Sequence, residues 1–365
     1  MTTEALKEYY AGLDLHSSNV FCGIIDGGGQ PVYRQRLPNE LPVILHALKP
    51  YRRRLKGVAV ESTYNWYWLV DGLQAENYPV QLANPAAMQQ YSGLKQTDDQ
   101  SDALWLAEML RLKILPTGYI YPKEMRPVRD MLRRRLLVVR QATQSVLSLQ
   151  SMVVRQTGRR VSAAELRGWL AAEVRATFAD PYSQQTATAL LELIREQQRI
   201  QQALEQTVLG QVKLNGAFRR LLTLPGIGKV LGITIMLESG PIERFPSAGD
   251  YASYCRLVDS ACQSDGKKKG ENNRKNGNKY LSWAYVEGAN FAQRYDAQAQ
   301  SWFARKAART KRVVAVKALA CKLAKAAFYV LRDEVDFDAA RMFGGGHVGA
   351  AAAIPGSGMV SSPMV

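Results

Sequence analysis

The first 112 residues constrain the fold most tightly, because they switch between two hydrophobic periods. Apolar runs of strand length at residues 9–16, 20–26 and 31–37 follow one another, separated by Ser17-Ser18-Asn19 and by Gly27-Gly28-Gly29. Strand and helix patterns then alternate: a short helix at 41–48, a compact apolar strand at 57–61, a helix at 66–73, a strand at 78–83, and helical periodicity over 99–112 through Ala103, Leu106 and Leu110. Three strands in a row followed by alternation predict an α/β domain, a mixed sheet flanked by helices.

From residue 126 to about 157 one helical period persists, with Val128, Leu132, Leu136, Val139, Val146 and Val153 on one face. Arg126, Arg129, Arg133, Arg134, Arg135 and Arg140 crowd its first half with few acidic neighbours in sequence, so a phosphate-facing stripe is expected over a solvated charged face. Leu190, Leu193, Ile200 and Leu204 follow 3–4 spacing around an off-pattern Gln197 and predict a helical hairpin or short coiled coil, packed internally or forming a dimer seam. Apolar helical runs at 217–223 and 230–238 flank Leu224-Pro225-Gly226-Ile227-Gly228. That arrangement is either a helix-hairpin-helix element offering backbone N–H groups to a phosphate or a simple interhelical turn. A polar loop is expected over 264–279, helices over 281–293 and 312–331, and a disordered Gly/Ala/Ser/Pro tail beyond residue 344. The expected domains are a sheet domain at 1–120, a basic helix and coiled-coil region at 121–214, a mainly helical C-terminal domain at 215–340, and the tail at 341–365.

Charge narrows the partners. Forty-eight Lys and Arg against 32 Asp and Glu leave a net +16, which points to a polyanion, nucleic acid before membrane. Four scattered cysteines (Cys22, Cys255, Cys262, Cys321) make neither a disulfide framework nor a C-x-x-C zinc site. Only His16, His46 and His347 are present, so chemistry needing a histidine base has little to draw on. The charged N-terminus lacks a secretory h-region, and the near-apolar stretch at 313–331 carries Lys317, Lys322 and Lys325. A cytoplasmic protein with no membrane partner is expected. No zinc finger, basic zipper or paired half-site helix stands out as a reader of base edges.

The acidic residues have a pattern of their own. Asp14 falls near the end of the first strand, Glu61 at the end of a buried one, and Asp99 and Asp102 are one helical turn apart, with Asp98 a near-equal competitor for Asp99. Two strand-end acids and an i, i+3 pair are the donors that two Mg²⁺ ions need. Such ions bind oxygen, keep open positions for phosphate oxygens, and stabilise both the attacking and the leaving oxygen of a phosphoryl transfer.

Asp14 in G-L-D-L-H, Glu61 in V-A-V-E-S-T and Asp99 with Asp102 in K-Q-T-D-D-Q-S-D-A resemble the four-acid (DEDD) set of insertion-sequence transposases with a resolvase-like N-terminal domain. L-P-G-I-G-K, R-F-P-S-A-G-D-Y-A-S-Y-C-R, S-D-G-K-K-K-G and K-N-G-N-K-Y-L resemble the C-terminal domain of the same group, the one-hundred-and-ten family; the matches run from about residue 9 to about 335. The resemblance implies a ribonuclease-H-like (RuvC-like) N-terminal fold, a helical linker and a C-terminal transposase domain supplying a nucleophilic serine. It further implies an element-encoded bridge RNA as guide, donor and target double-stranded DNA as substrates, and a tetramer, a dimer of dimers, with a composite site. Under it Ser264 is the nucleophile, ahead of Ser260 and Ser282, because it heads the basic segment. Lys267, Lys268, Lys269, Arg274, Lys275 and Lys279 there, with the arginines of the long helix, are the expected phosphate contacts. A covalent phosphoserine keeps the phosphodiester energy needed to rejoin strands. The alternative is a metal-dependent junction-resolving nuclease using the same acids without a covalent step.

Overall fold

The computed structural model describes residues 8–89, 91, 99–211, 216–258, 261–264, 267–271 and 276–343; at 99–101, 211, 261–264 and 267–271 the backbone alone is described. Two compact units emerge. The first gathers Met1–Lys213, Leu237–Gly240 and Ser253–Leu281, and the second gathers Leu214–Met236, Pro241–Ala252 and Ser282–Val365.

The first unit is built on a mixed sheet. Its elements in chain order are β1 (Tyr9–Leu15), β2 (Asn19–Asp26), β3 (Pro31–Pro38), α1 (Leu41–Leu48), β4 (Leu55–Glu61), α2 (Tyr67–Ala75), β5 (Val80–Ala83), α3 (Pro85–Met88), α4 (Asp99–Arg111) and β6 (Thr117–Gly118). The strand order is β3-β2-β1-β4-β5-β6. β1, β2 and β3 form an antiparallel meander, β1, β4 and β5 run parallel, and β6 closes the far edge antiparallel. Leu13, Leu15, Cys22, Ile24, Val58 and Val60 pack one face of the sheet against Ile44 and Leu48 of α1 and Leu69, Val70 and Leu73 of α2. The other face takes α4, whose Leu106 and Leu110 meet Ala59 and Ala83.

That second contact depends on glycine. A Cβ on Gly12 would lie 2.0 Å from the Ala103 carbonyl oxygen, and one on Gly23 would lie 2.9 Å from the Leu104 nitrogen. The absence of a side chain at these positions lets the α4 backbone settle onto β1 and β2.

The long helix is α5 (Arg126–Thr157), followed by α6 (Ala163–Gly168), α7 (Ala171–Thr177) and α8 (Pro181–Gln211). α5 and α8 are antiparallel: Val146, Leu149 and Val153 meet Ala187, Leu191 and Ile194, whereas Arg135 near the start of α5 pairs with Glu205 near the end of α8 at 3.0 Å. Val161, Leu166, Trp169, Val174 and Phe178 of the intervening short helices complete the core at the tip. The buried stripe of α8 runs through Ala187, Leu191, Ile194, Gln197 and Val208, so Leu193 faces out and Gln197 lies within the stripe. The expected helical hairpin is present, with its seam one position away from the one read off the leucines.

The remaining elements are α9 (Gly216–Leu221), α10 (Lys229–Ser239), α11 (Ala248–Tyr254), β7 (Ala261–Ser264), β8 (Lys267–Glu271), α12 (Lys279–Tyr295), α13 (Ala297–Ala307), α14 (Arg312–Arg332) and α15 (Ala339–Phe343). In the second unit Tyr251, Tyr285 and Phe328 form a buried aromatic core, with the two tyrosine hydroxyls 2.8 Å apart. Gly226 has φ +76°, and a Cβ there would lie 2.1 Å from the Gly288 carbonyl oxygen of α12. The Pro-Gly-Ile-Gly turn therefore serves helix packing, the simpler of the two sequence-based readings. The tail beyond residue 343 lies outside the described residues. No helix among the described residues is long and apolar enough to cross a membrane.

Candidate active site

Three of the four expected acids are carried to one edge of the sheet. Parallel β1 and β4 are in register at Leu13↔Val60, which places Asp14 and Glu61, the next residue of each, side by side at the carboxyl ends of their strands. Side chains alternate along a strand, so Asp14 shares a face with Gly12 and Glu61 shares a face with Ala59, and both glycine and alanine lie under α4. Asp102 immediately precedes Ala103, the residue seated on Gly12. Asp14 is buried and Asp102 is half-buried at this position. Asp99 opens α4 one turn earlier, with only its backbone described; Asp98 lies outside the described residues.

His16 joins them. Its Nε2 lies 3.2 Å from Asp14 Oδ2. No role for a histidine was expected from the sequence, and Asp14-x-His16 carries the i, i+2 spacing of β1 one residue past its end at Leu15.

The turn after β4 is tied down beside them. Ser62 N–H donates to the Ala83 carbonyl (3.1 Å), Thr63 Oγ1 lies 2.8 Å from Asn65 Oδ1, and the side-chain amides of Asn65 (3.0 Å) and Asn39 (3.1 Å) both donate to the His16 carbonyl.

As a donor set, carboxylate oxygens suit a hard divalent cation. Among the described residues, however, no three His, Cys, Asp or Glu side chains are drawn together as a ready cage. The chemistry of the set fits such an ion, with Asp99 the donor whose side chain is outside the described residues.

Ser264 closes β7 and pairs with Lys267 at the start of antiparallel β8, so the expected loop is a hairpin joined by Asp265-Gly266. Asp-Gly between two strand-length runs is itself a hairpin signal. The side chains of Ser264, Lys267, Lys268 and Lys269 are not described, and Ser260, Arg274 and Lys275 lie outside the described residues.

The segments on either side of the hairpin, at 254–256 and 276–278, are tied together within the first unit. Asn278 N–H donates to the Tyr254 carbonyl (2.6 Å) and Arg256 Nε to the Gly277 carbonyl (3.0 Å). Asn278 Nδ2 donates to Glu238 Oε2 (2.7 Å), while its Oδ1 caps α12 by accepting from Tyr280 N (2.9 Å) and Leu281 N (3.2 Å). Asn276, in the later segment, brings its Oδ1 within 3.5 Å of Asn84 Nδ2. Asn84 directly follows Ala83, the residue paired with Glu61. Asn276, five residues beyond the end of β8, thus lies near the carboxyl end of β5.

The arginines of α5 correct the expected stripe. Arg126 is buried; it donates to Asp71 Oδ1 (2.7 Å) and to the Tyr121 carbonyl (2.7 Å), and stacks on Trp66 and Tyr67. Arg129 is buried against Tyr121 and pairs with Glu238 Oε2 (3.2 Å). Arg133 spans both Glu238 oxygens at 2.6 and 2.7 Å. Burial pushes the Glu238 carboxyl up, but the Arg133 hydrogen bonds, the charges of Arg129 and Arg133, and the Asn278 amide together hold it below the usual carboxylate range. These three guanidiniums are structural: their acidic partners are remote in sequence, so local charge counting missed them. Arg134 is exposed, as is Lys279, whose ammonium lies over Tyr280.

Two family models match the chain. A transposase model of the DEDD, IS110 type matches residues 11–156, and one described as the transposase IS116/IS110/IS902 family matches residues 218–304. No curated protein matches. The first match spans the sheet with its acids together with α5. With the sheet order, the acid edge and both matches in hand, the chain belongs to the IS110 family of DEDD transposases, enzymes that cut and rejoin DNA.

Proposed function

We propose that this transposase is an RNA-guided recombinase that exchanges strands through a covalent link to Ser264. In the forward step Ser264 Oγ attacks the scissile phosphorus. Its proton passes to the acid set, the bond from phosphorus to one deoxyribose oxygen breaks, and that oxygen takes a proton back from the acid set and leaves as a hydroxyl. A hydroxyl from a second strand then reverses the step, so the number of phosphodiester bonds is conserved without an external energy source. Asp14, Glu61, Asp99 and Asp102 would hold Mg²⁺, which when bound neutralises charge on the phosphate oxygens. Lys267, Lys268, Lys269, Arg274, Lys275 and Lys279, with Arg134, would grip the backbone by charge and without base readout. Pairing to a guide RNA would supply the sequence specificity, and the net +16 charge is in keeping with an RNA and two DNA duplexes as partners. We further propose a functional division into an acid domain at 1–120, the helical region at 121–214 and the serine-bearing domain at 215–340, acting as a tetramer with composite sites.

The observation that supports this reading is the 3.5 Å approach of Asn276, five residues beyond β8, to Asn84 at the carboxyl end of β5, the strand next to the one that ends in Glu61. The acid face alone would also serve a hydrolytic junction nuclease, which is the second reading. Denaturing gels after incubation with DNA, guide RNA and Mg²⁺ separate the two. A protein-linked strand that is lost in Ser264→Ala supports the recombinase. Cleavage by Ser264→Ala at the wild-type rate, with no linked strand in either protein, supports the nuclease.

A further inference from the structure

Tyr64 stands out on the acid edge. Its side chain is 83% exposed, and among the described residues its ring has neither a hydrogen-bond nor a ring partner. Tyr182 and Tyr295 are as exposed, at 81% and 80%, but they lie on α8 and α12, and Tyr295 stacks on Phe291. Tyr64 instead projects from the turn that leaves Glu61. On one side of it Thr63 N–H donates to the Glu61 carbonyl at 2.9 Å; on the other, Asn65 donates to the carbonyl of His16, two residues beyond Asp14. The turn is therefore fixed to both acid-bearing strands, and the ring is presented to solvent from a rigid base. Holding an aromatic ring this way carries a small ordering cost for whatever it contacts, since a tyrosine has only two side-chain torsions to fix.

We propose that Tyr64 is a stacking platform for an unpaired base of the DNA strand lying at the acid face; the proposal rests on reading that face as the catalytic one. Ligands of open α/β sheets bind outside the carboxyl ends of the strands, which is where this turn projects. A base inside a duplex has both faces covered by its neighbours, so an exposed ring can stack only where the helix is opened. Strand exchange opens it beside the scissile phosphate. Every base has a π face, so the contact adds affinity and register without sequence readout, which suits a protein whose sequence choice comes from elsewhere. The hydroxyl has no task in this contact; the ring carries it.

The test uses the full chain and a forked duplex with 2-aminopurine as the first unpaired base at the fork, read by fluorescence. Wild type should quench the probe. Tyr64→Ala should lose the quench and bind the fork on the order of ten-fold more weakly, with fully paired duplex bound as before. Tyr64→Phe and Tyr64→Trp should keep both, and Tyr182→Ala should behave as wild type. No quench with wild type, an unchanged quench in Tyr64→Ala, or an equal loss in Tyr182→Ala overturns the proposal. The underlying reading is tested separately by DNA cutting with Asp102→Ala. If that variant still cuts while Tyr64→Ala has lost the quench, Tyr64 holds a base away from the chemistry, and the platform as stated here is wrong.

Discussion

Replacing Glu238 with Gln perturbs the node that joins α5 to Asn278 at the start of α12. The Glu238 side chain is 2% exposed and meets Arg133 Nε at 2.6 Å, Arg129 Nε at 3.2 Å and Asn278 Nδ2 at 2.7 Å. Glutamine keeps the shape but leaves two guanidiniums, one of them buried, without a neutralising charge. Breaking a buried pair in this way costs roughly 3–5 kcal/mol. For a unit of this size, at about 2–4 °C per kcal/mol, the melting temperature should fall by roughly 6–20 °C. The pH dependence has a definite sign. The folded carboxyl is held below its unfolded value, so its contribution is complete above about pH 4.3, the unfolded glutamate value, and is lost as pH falls through the folded one. Thermal melts followed by circular dichroism should show a constant gap between wild type and Glu238→Gln from pH 7 to about pH 5, narrowing in stronger acid. A variant melting within about 2 °C of wild type at pH 7, or a gap that does not narrow in acid, would refute the assignment of Glu238 as a charged node.

Three further perturbations probe other parts of the molecule. Gly12→Ala places a methyl group against the Ala103 carbonyl, so it should cost about 1–3 kcal/mol in urea unfolding and, by lifting α4 off β1, reduce DNA cutting more than DNA binding. Gln197 lies in the buried stripe of α8 with its Oε1 buried and, among the described residues, unpartnered, so Gln197→Leu should raise stability by about 1 kcal/mol in the same assay; a loss would mean that the amide has a partner in the assembly. Changing Lys267, Lys268 and Lys269 to alanine should flatten the dependence of log affinity on log salt by about 0.9 for each lost phosphate contact, measured by fluorescence anisotropy, and an unchanged slope would remove these lysines from the backbone grip.

Locally encoded features were legible in the sequence. The three-strand meander, the alternation that follows it and the 32-residue α5 all follow from hydrophobic period over short windows, and each lies within a few residues of its expected bounds. The acids were legible as strand-end and helix-turn positions, but the seating of α4, and so of Asp102, over the strand that bears Asp14 depends on Gly12 under Ala103, a long-range packing contact. The arginines of α5 show the same limit: Arg126 meets Asp71 across 55 residues, and Arg129 meets Glu238 across 109. A count of nearby acids has no access to such partners, so a neutralised interior looks like an unpaired stripe. Leu193 was misplaced because one leucine off the stripe is compatible with either face of α8, whereas Ala187 and Gln197, both buried, carry weak hydrophobic signals. The β7–β8 hairpin was hidden by its lysines, which are poor strand formers, and the Asp-Gly between the strands was the one cue available.

The most direct measurement is mass spectrometry of the protein–DNA adduct after a recombination reaction with guide RNA and both DNA partners. The proposed serine mechanism predicts one modified peptide, with a nucleotide phosphodiester on Ser264 and none formed by the Asp102→Ala protein. Rejoined DNA produced with no adduct at all, or with the adduct on another residue, would contradict it.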